Sequence, residues 1–455
     1  MKLNCLILAA GEGKRMKSAL AKPLHRVCGR TMIDHVLAYV APLEPQTVAV
    51  VLGVGREAME EALAGRDVRT VIQHEQLGTG HAALVAADLF ADADGDLLIT
   101  CADIPLVRPE TLQALLDEHR ARGAVATVMT AFCDDPTGYG RVVRDPDGLV
   151  QAIVEHRDAS EDVRRIREIN AGIYVFSCRK LYAALKLLRP NNVQGEHYLT
   201  DVIAQLVAQH EPVAALPVTD PAEVMGINDR VQLSVAETKA RDRVRRDLML
   251  SGVTMIDPAT TYVDAGVQIG ADTVVWPGAI ITRDTRIGAN CTIGPHVQLD
   301  SVTAGEGCQI RQGSVVSGST LGDRVTVGPF AFIRPDCTIE DEARIGAHTE
   351  LVRSVVQRGT KMSHFSYVGD TEIGAGSNIG AGVVTCNYDG QSKHRTTIGD
   401  GAFIGSDAIL VAPVTIGAGA YVGAGSVITK DVPAEALGLG RSRQENLEGW
   451  VRRKR

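Results

Sequence analysis

At 455 residues the chain is too long for one ordinary core and should fold as two or three domains. It is 45% hydrophobic, 22% charged and 4% aromatic, with a net charge of −8; this excludes general adhesion to nucleic acid or anionic membranes and argues against an aromatic-rich β-sandwich. The nine scattered cysteines lack any Cys-x-x-Cys pair and no span-length apolar run occurs, so a cytoplasmic protein with free thiols is expected.

The N-terminal half alternates short apolar runs with amphipathic stretches. Leu3–Ala10, Thr47–Leu52, Val68–Ile72, Asp96–Thr100 and Val125–Thr130 read as strands. Met32–Val40, Glu57–Ala64, Gly80–Phe90 and Pro109–Arg122 read as helices. That alternation predicts an α/β domain with a largely parallel sheet, whose chemistry gathers at the carboxyl ends of the strands.

The first strand runs into Leu8-Ala9-Ala10-Gly11-Glu12-Gly13-Lys14-Arg15-Met16, followed by Lys22-Pro23. Small residues there let backbone N–H groups approach a phosphate, with Arg15 and Lys22 as countercharge. The segment lacks the third glycine of a dinucleotide fingerprint and the Gly-Lys-Ser/Thr of a P-loop, so a plain strand–turn–helix connection also accounts for it. Gln73-His74-Glu75-Gln76-Leu77-Gly78-Thr79-Gly80 is a second glycine-bearing loop. In Leu97–Leu106, Asp103 follows a strand and precedes a proline. A lone carboxylate there suits Mg²⁺, which takes one or two protein oxygens beside phosphate and water; a turn cap is the plainer alternative.

Arg230–Leu250 has neither Gly nor Pro and reads as one helix, a rigid arm. Beyond it a period of six takes over, from about residue 260 to 430. Val263, Ile269, Val275, Ile281, Ile287, Ile293 and Leu299 form one run. Leu321, Val327, Ile333, Ile339, Ile345 and Leu351 form a second; Ile398, Ile404, Leu410, Ile416, Val422 and Ile428 form a third. Neither a helix nor a simple strand confines large aliphatics to every sixth position. The pattern predicts a hexapeptide-repeat β-helix, three repeats per triangular coil, with the glycine that often follows the aliphatic relieving the corner. Such a prism favours a homo-oligomer, and periodicity alone leaves a passive spacer open. Two slips in phase are expected to be loops: Leu351 to Ile373, over Lys361–Tyr367, and Ile379 to Ile398, over Thr385–Lys393. The chain ends in Arg452-Arg453-Lys454-Arg455, read as a solvated tail.

Taken in order, several segments resemble the nucleotidylyltransferases that activate sugar 1-phosphates. They are Leu8–Met16, Gln73–Gly80, Asp103-Ile104-Pro105, Pro136–Arg141, Ile153–His156, Glu168–Gly172 and Gly226-Ile227-Asn228. With the prism, the His364 segment and Asn387-Tyr388-Asp389-Gly390, nearly the whole chain resembles one family. This is the bacterial bifunctional N-acetylglucosamine-1-phosphate uridylyltransferase/glucosamine-1-phosphate N-acetyltransferase family. The resemblance implies an α/β fold: a Rossmann-like nucleotidylyltransferase domain (1–229), a linker helix (230–250) and a left-handed parallel β-helix acetyltransferase domain with its tail (251–455).

It also implies a Mg²⁺-dependent uridylyl transfer from UTP. Leu8, Ala9, Ala10 and Gly11 would hold the nucleotide, with Gln73, Gly78 and Thr79 at the uracil. Cys101, Ala102, Gly140, Glu155 and Asn170 would lie at the sugar, Asp103 and Asn228 at the metal, and Arg15 and Lys22 at the phosphates. For acetyl transfer from acetyl-CoA, His364 takes the base position, Arg334, Tyr367 and Asn378 the sugar phosphate. Ala381, Asn387, Tyr388, Ser406, Ala424 and Arg441 match acetyl-CoA contacts. A homotrimer with acetyl-transfer sites shared between prisms is implied, as is a product feeding peptidoglycan and lipopolysaccharide synthesis.

The chain departs from the family's pattern at three places. Cys101-Ala102 stand where relatives often have Tyr-Gly, and Lys14 where threonine is usual. Val352 stands at a lysine position with Arg353 beside it, so either Arg353 compensates or Arg334 chiefly holds the phosphate. Two other readings stay open: a nucleotidylyltransferase whose prism only assembles or regulates, and an assembly subunit without chemistry.

Overall fold

The computed structural model describes residues 2–190 and 192–454; Met1, Asn191 and the tail's Arg455 lie outside the described residues. The chain forms two compact units that divide between Ala240 and Arg241. No helix among the described residues is long and apolar enough to cross a membrane.

The first unit is built on a mixed sheet whose core strand, Leu3–Ala9, is apolar on both faces because helices cover both. It pairs in parallel with Val48–Leu52 on one side and Asp96–Cys101 on the other. Arg69–Ile72 extends the sheet past Val48–Leu52, again in parallel. The expected strands and helices are present within a residue or two, except that Gly80–Phe90 breaks into Thr79–Leu84 and Ala87–Phe90. Glu168–Ser177 is the antiparallel element, inserted between Asp96–Cys101 and Ala126–Phe132, and its register with the latter shifts between Asn170 and Tyr174. Arg141–Arg144 and Val150–Val154 add a hairpin beside it. The carboxyl ends of Leu3–Ala9 and Asp96–Cys101, paired through Leu8 and Cys101, therefore bring the glycine loop next to Ala102-Asp103.

The second unit is a parallel β-helix with three faces of eleven, ten and nine short strands. Every aliphatic residue of the three six-residue runs is buried along its axis. The glycines that follow these residues act differently from expectation. Gly288 and Gly346 have ordinary φ, but a Cβ on either would meet the backbone of the next coil, at 2.6 Å from Gly305 and 2.0 Å from Ser363. The left-handed corner conformations are taken by other residues, among them Asp272, Asn290 and His296. The glycine is there because coils stack closely, and the corner itself tolerates side chains.

The slip between Leu351 and Ile373 is not a loop. The inward series continues through Val356, Met362 and Val368, all buried, with Leu351 to Val356 and Val368 to Ile373 advancing five residues rather than six. The same shortening occurs from Leu299 to Ala304 and from Val316 to Leu321, always between the ten-stranded and nine-stranded faces. A tighter corner absorbs the missing residue. The second slip is a loop, but it begins later than expected: Val384–Cys386 remains a strand with Thr385 buried, and the chain leaves the prism only over 387–395.

Arg230–Leu250 is one continuous helix. Asp229 starts it by accepting from Gln232 N at 2.9 Å, and Gln232 in turn accepts from Asn228 N at 2.7 Å. Its last turns close the open end of the prism: Val244 and Leu248 pack on the coil core, and buried Arg245 donates to the carbonyls of Pro258 and Thr261.

Two candidate active sites

The first cleft, about 480 Å³, opens at the carboxyl ends of the central strands. Leu8, Ala9, Ala10 and Gly11 form one wall, Gln73, Gly78 and Thr79 another, and Cys101, Ala102 and Asp103 a third. The small residues of the first wall leave backbone exposed to a ligand, and nothing stands within 4 Å of a Cβ built on Gly11. Lys22 reaches in from the Lys22–Leu24 turn, donating to Asp103 Oδ2 and, at 2.9 Å, to Asn228 Oδ1. Two residues 125 positions apart in the chain (103 and 228) thus present hard oxygens to one cation. That donor pair fits Mg²⁺, which needs few protein ligands; among the described residues there is no cluster of three His, Cys, Asp or Glu side chains for a softer metal.

Gly140, Glu155 and Asn170 do not line this cleft but are gathered together. Asn170 N donates to Gly140 O at 2.9 Å, and a Cβ on Gly140 would lie 3.3 Å from Glu155 Oε1. The register shift at Asn170 comes with a left-handed Gly172, whose N–H donates to Asn170 Oδ1 at 3.0 Å. Burial lifts the Glu155 carboxyl above its usual range, while the Thr200 hydroxyl donating at 3.2 Å pulls the other way. Burial also pushes the Cys101 thiol up to about 12, with Asp103 adding to the effect, so it stays a protonated, inert lining group. Arg15 is exposed on the turn Lys14–Met16 and does not line the cleft.

Two residues escaped the sequence reading here. Glu196 lines the cleft from a loop clipped to the Gln73–Gly80 segment, His197 N donating to Leu77 O at 2.8 Å. Arg230, the first residue of the long helix, donates to Met16 O and contacts His25 Nδ1, both at 3.2 Å, tying the glycine loop to the helix that carries Asn228 at its start. Neither has a local signal that marks it off from the chain's other charged residues.

The second cleft, also about 480 Å³, is a groove along the eleven-stranded face of the prism. Of the expected residues it contains His364, Asn378, Ala381, Ser406 and Ala424. His364 sits exposed at the corner between Lys361–Met362 and Ser366–Gly369; its carbonyl is held by the Thr349 hydroxyl at 3.0 Å, and its imidazole has no partner among the described residues. Phe403 and Tyr421, stacked at 5.2 Å between ring centroids, form an aromatic wall that was not foreseen. Their signal was legible: both occupy the outward position just before an inward aliphatic, where relatively polar residues are the rule.

Tyr367 and the loop 387–395 lie on the ten-stranded face instead. The Tyr367 hydroxyl contacts Asn387 Oδ1 at 3.5 Å, and Asn387 Nδ2 donates to Asp370. Arg353 grips Asp370 with two bonds of 2.6 and 2.8 Å, which holds the Asp370 carboxyl below its usual range. Asp389 closes the loop by accepting from Ser392 N, His394 and Gln391 N, and is likewise driven down. Arg334 pairs with Glu350 at 3.1 Å. Val352 is 3% exposed and offers nothing to a ligand. Tyr388 and Arg441 are exposed.

Comparison with known proteins agrees with this division. Residues 5–208 match a MobA-like NTP transferase domain, and residues 266–301, 318–353 and 395–430 match the bacterial transferase hexapeptide of six repeats. The chain is 50% identical to the bifunctional protein GlmU of Geobacillus thermodenitrificans, covering 100% of this chain and 99% of that one. It is 49% identical to the GlmU of Geobacillus sp. strain WCH70 (100% and 98% covered) and 47% identical to that of Streptomyces avermitilis (99% and 94%). With a nucleotidyltransferase cleft in one unit, a hexapeptide groove in the other and this likeness end to end, the chain belongs to the GlmU family of bifunctional enzymes.

Proposed function

We propose that the two clefts act in sequence to make UDP-N-acetylglucosamine, first by acetylating glucosamine 1-phosphate and then by uridylylating the product. The observation that carries this is the separation itself: a Lys–Asp–Asn cation site in one unit and an exposed imidazole over a groove in the other.

In the acetyl-transfer groove, acetyl-CoA would lie along Ala381, Ser406 and Ala424, with Asn387, Tyr388 and Arg441 as further contacts. A protonated amine cannot attack a thioester, and imidazole is the side chain that ordinarily titrates near neutrality. His364 takes a proton from the sugar amine as nitrogen attacks the thioester carbonyl; the C–N bond forms, the C–S bond breaks, and CoA leaves. Asn378 orients the sugar. Tyr367 and Arg334, on or next to the other face, are best supplied by a second copy, which supports a trimer with shared sites.

In the uridylyl-transfer cleft, the sugar phosphate oxygen attacks the α-phosphorus of UTP in line and the bond to pyrophosphate breaks. Asp103 and Asn228 would hold Mg²⁺, which neutralises charge on the phosphate oxygens when bound. Lys22 adds a fixed positive charge, Arg15 approaches from the loop, and the Leu8–Gly11 and Gln73–Thr79 walls position the nucleotide. Gly140, Glu155 and Asn170 bind the sugar.

The test is an assay with glucosamine 1-phosphate, acetyl-CoA, UTP and Mg²⁺, each omitted in turn. His364→Ala should cut acetyl transfer by about 10²-fold or more and spare uridylyl transfer, and Asp103→Ala should do the reverse. Loss of both activities with either change in a folded protein would sink the two-site reading. Full acetyl transfer by His364→Ala would favour a prism that only assembles.

A further inference from the structure

Arg141 is only 1% exposed, yet no step of the two reactions above uses it. A guanidinium keeps its charge at any ordinary pH, and taking it out of water is costly unless its donors find acceptors. This one is met by two carbonyls and an imidazole in place of a carboxylate. It donates to Tyr139 O, to His156 Nδ1 at 3.4 Å and to Arg164 O at 3.4 Å. Its Nε is buried without a partner among the described residues, and burial holds its pKa below the usual arginine value while Asp135 pulls the other way.

The backbone of Arg141 lies at a junction. It follows Gly140, and it pairs with Val154 on one side and Ile169 on the other. Glu155 and Asn170 are the next residues along those two chains. Each sugar-side residue is therefore one position from Arg141 or from one of its strand partners. The side chain ties the same segments a second time: Tyr139 precedes Gly140, His156 follows Glu155, and Arg164 ends the helix Glu161–Arg164 that leads into Glu168–Ser177. Backbone bonds alone hold this corner weakly. Gly138 is left-handed at φ +84° with open space around it, and the turn from Pro136 to Tyr139 is closed by one bond of 3.2 Å. Arg141 and Ile169 are the one residue pair in register between Arg141–Arg144 and Glu168–Ser177 among the described residues.

We propose that Arg141 is a positioning residue of the uridylyl-transfer cleft: by bridging Tyr139, His156 and Arg164 it fixes Gly140, Glu155 and Asn170 in the arrangement that selects the sugar. The inference rests on the assignment of those three residues to the sugar and deepens it. A planar guanidinium fork meets several diverging acceptors with one rigid group, which an ammonium on a flexible stem does not. Selection by hydrogen bonds depends on such rigidity, because a site that can relax also accommodates a sugar lacking the group it should read.

Steady-state uridylyl transfer by the full-length protein with Mg²⁺ tests this, with UTP and the sugar phosphate varied separately. Arg141→Met should raise KM for N-acetylglucosamine 1-phosphate roughly tenfold while leaving the KM for UTP within about twofold. It should also lower the preference for N-acetylglucosamine 1-phosphate over glucose 1-phosphate, measured as the ratio of kcat/KM, by about tenfold. Arg141→Lys, which keeps the charge without the fork, should lose the same preference; a lysine variant indistinguishable from the unaltered protein would assign the role to charge and overturn the proposal. Equal losses toward UTP and both sugar phosphates would mean that Arg141 only supports the fold, and unchanged constants would mean that it positions nothing; either overturns it. If the methionine variant does not fold, His156→Phe removes one acceptor and keeps a ring, and it should raise the same KM by about threefold. No change there counts against the proposal in the same way. Absence of uridylyl transfer in the unaltered protein defeats the parent reading, and the positioning role with it.

Discussion

Asp370 shows how a single side chain can be read for energy as well as place. It accepts two bonds from Arg353 and one from Asn387, and its carboxyl is held below the ordinary value, chiefly by the Arg353 bonds. A depressed pKa means the native state binds fewer protons than the unfolded chain, so the contribution is present above the ordinary carboxylate range and is lost as pH falls through the lowered value. Asp370→Asn is therefore expected to lower stability by about 1 kcal/mol, since the pair is only partly shielded from water. Thermal unfolding of the two proteins should show a constant gap between about pH 8 and pH 5 that closes in stronger acid. A gap that widened on acidification would refute the assignment. Little of this was legible in the chain: Arg353, Asp370 and Asn387 are an unremarkable set until coils of 17 residues stack them. His364 and Asp103 stood out because they sit in matched motifs.

Elements divide by how local their cause is. The six-residue period announced the prism because each inward aliphatic is set by its own turn, and every one of them is buried. Shortened corners were misread as a loop because a five-residue step looks like lost phase in sequence, while in space the coil simply turns more tightly. The glycines were found but explained by the wrong force. If coil stacking excludes a side chain at Gly288, Gly288→Ala should cost about 2 kcal/mol as overpacking. Gly359→Ala, with φ of +68° and nothing within 4 Å, should cost about 1 kcal/mol from backbone strain alone. Leu351→Ala, which leaves a void on the axis, should cost about 2–5 kcal/mol. Chemical denaturation of the three variants checks the order; equal costs for the two glycines would mean that stacking is not the reason.

For the whole molecule, the division of the acetyl-transfer residues between two faces of one prism has a consequence for assembly. A groove holds His364 and Asn378 on one face, with Tyr367 on the next, and on the reading proposed above a second copy set alongside completes the site. Analytical ultracentrifugation should give three times the chain mass. Mixing His364→Ala chains with Tyr367→Phe chains should recover part of the acetyl transfer that each lacks alone, since some shared sites then carry both native residues. No recovery in mixed trimers would place both residues in one chain's site.

Sequence alone determined the prism, the order of strands and helices over the first 130 residues, and the glycine loop, because each follows from spacing, periodicity or an ordered motif along the chain. Only the tertiary structure decided that Lys22, Asp103 and Asn228 meet around one point, and that Arg353 is spent on Asp370. Those facts depend on which strands lie next to one another, and adjacency in a folded sheet is not written in the distance between residues along the chain.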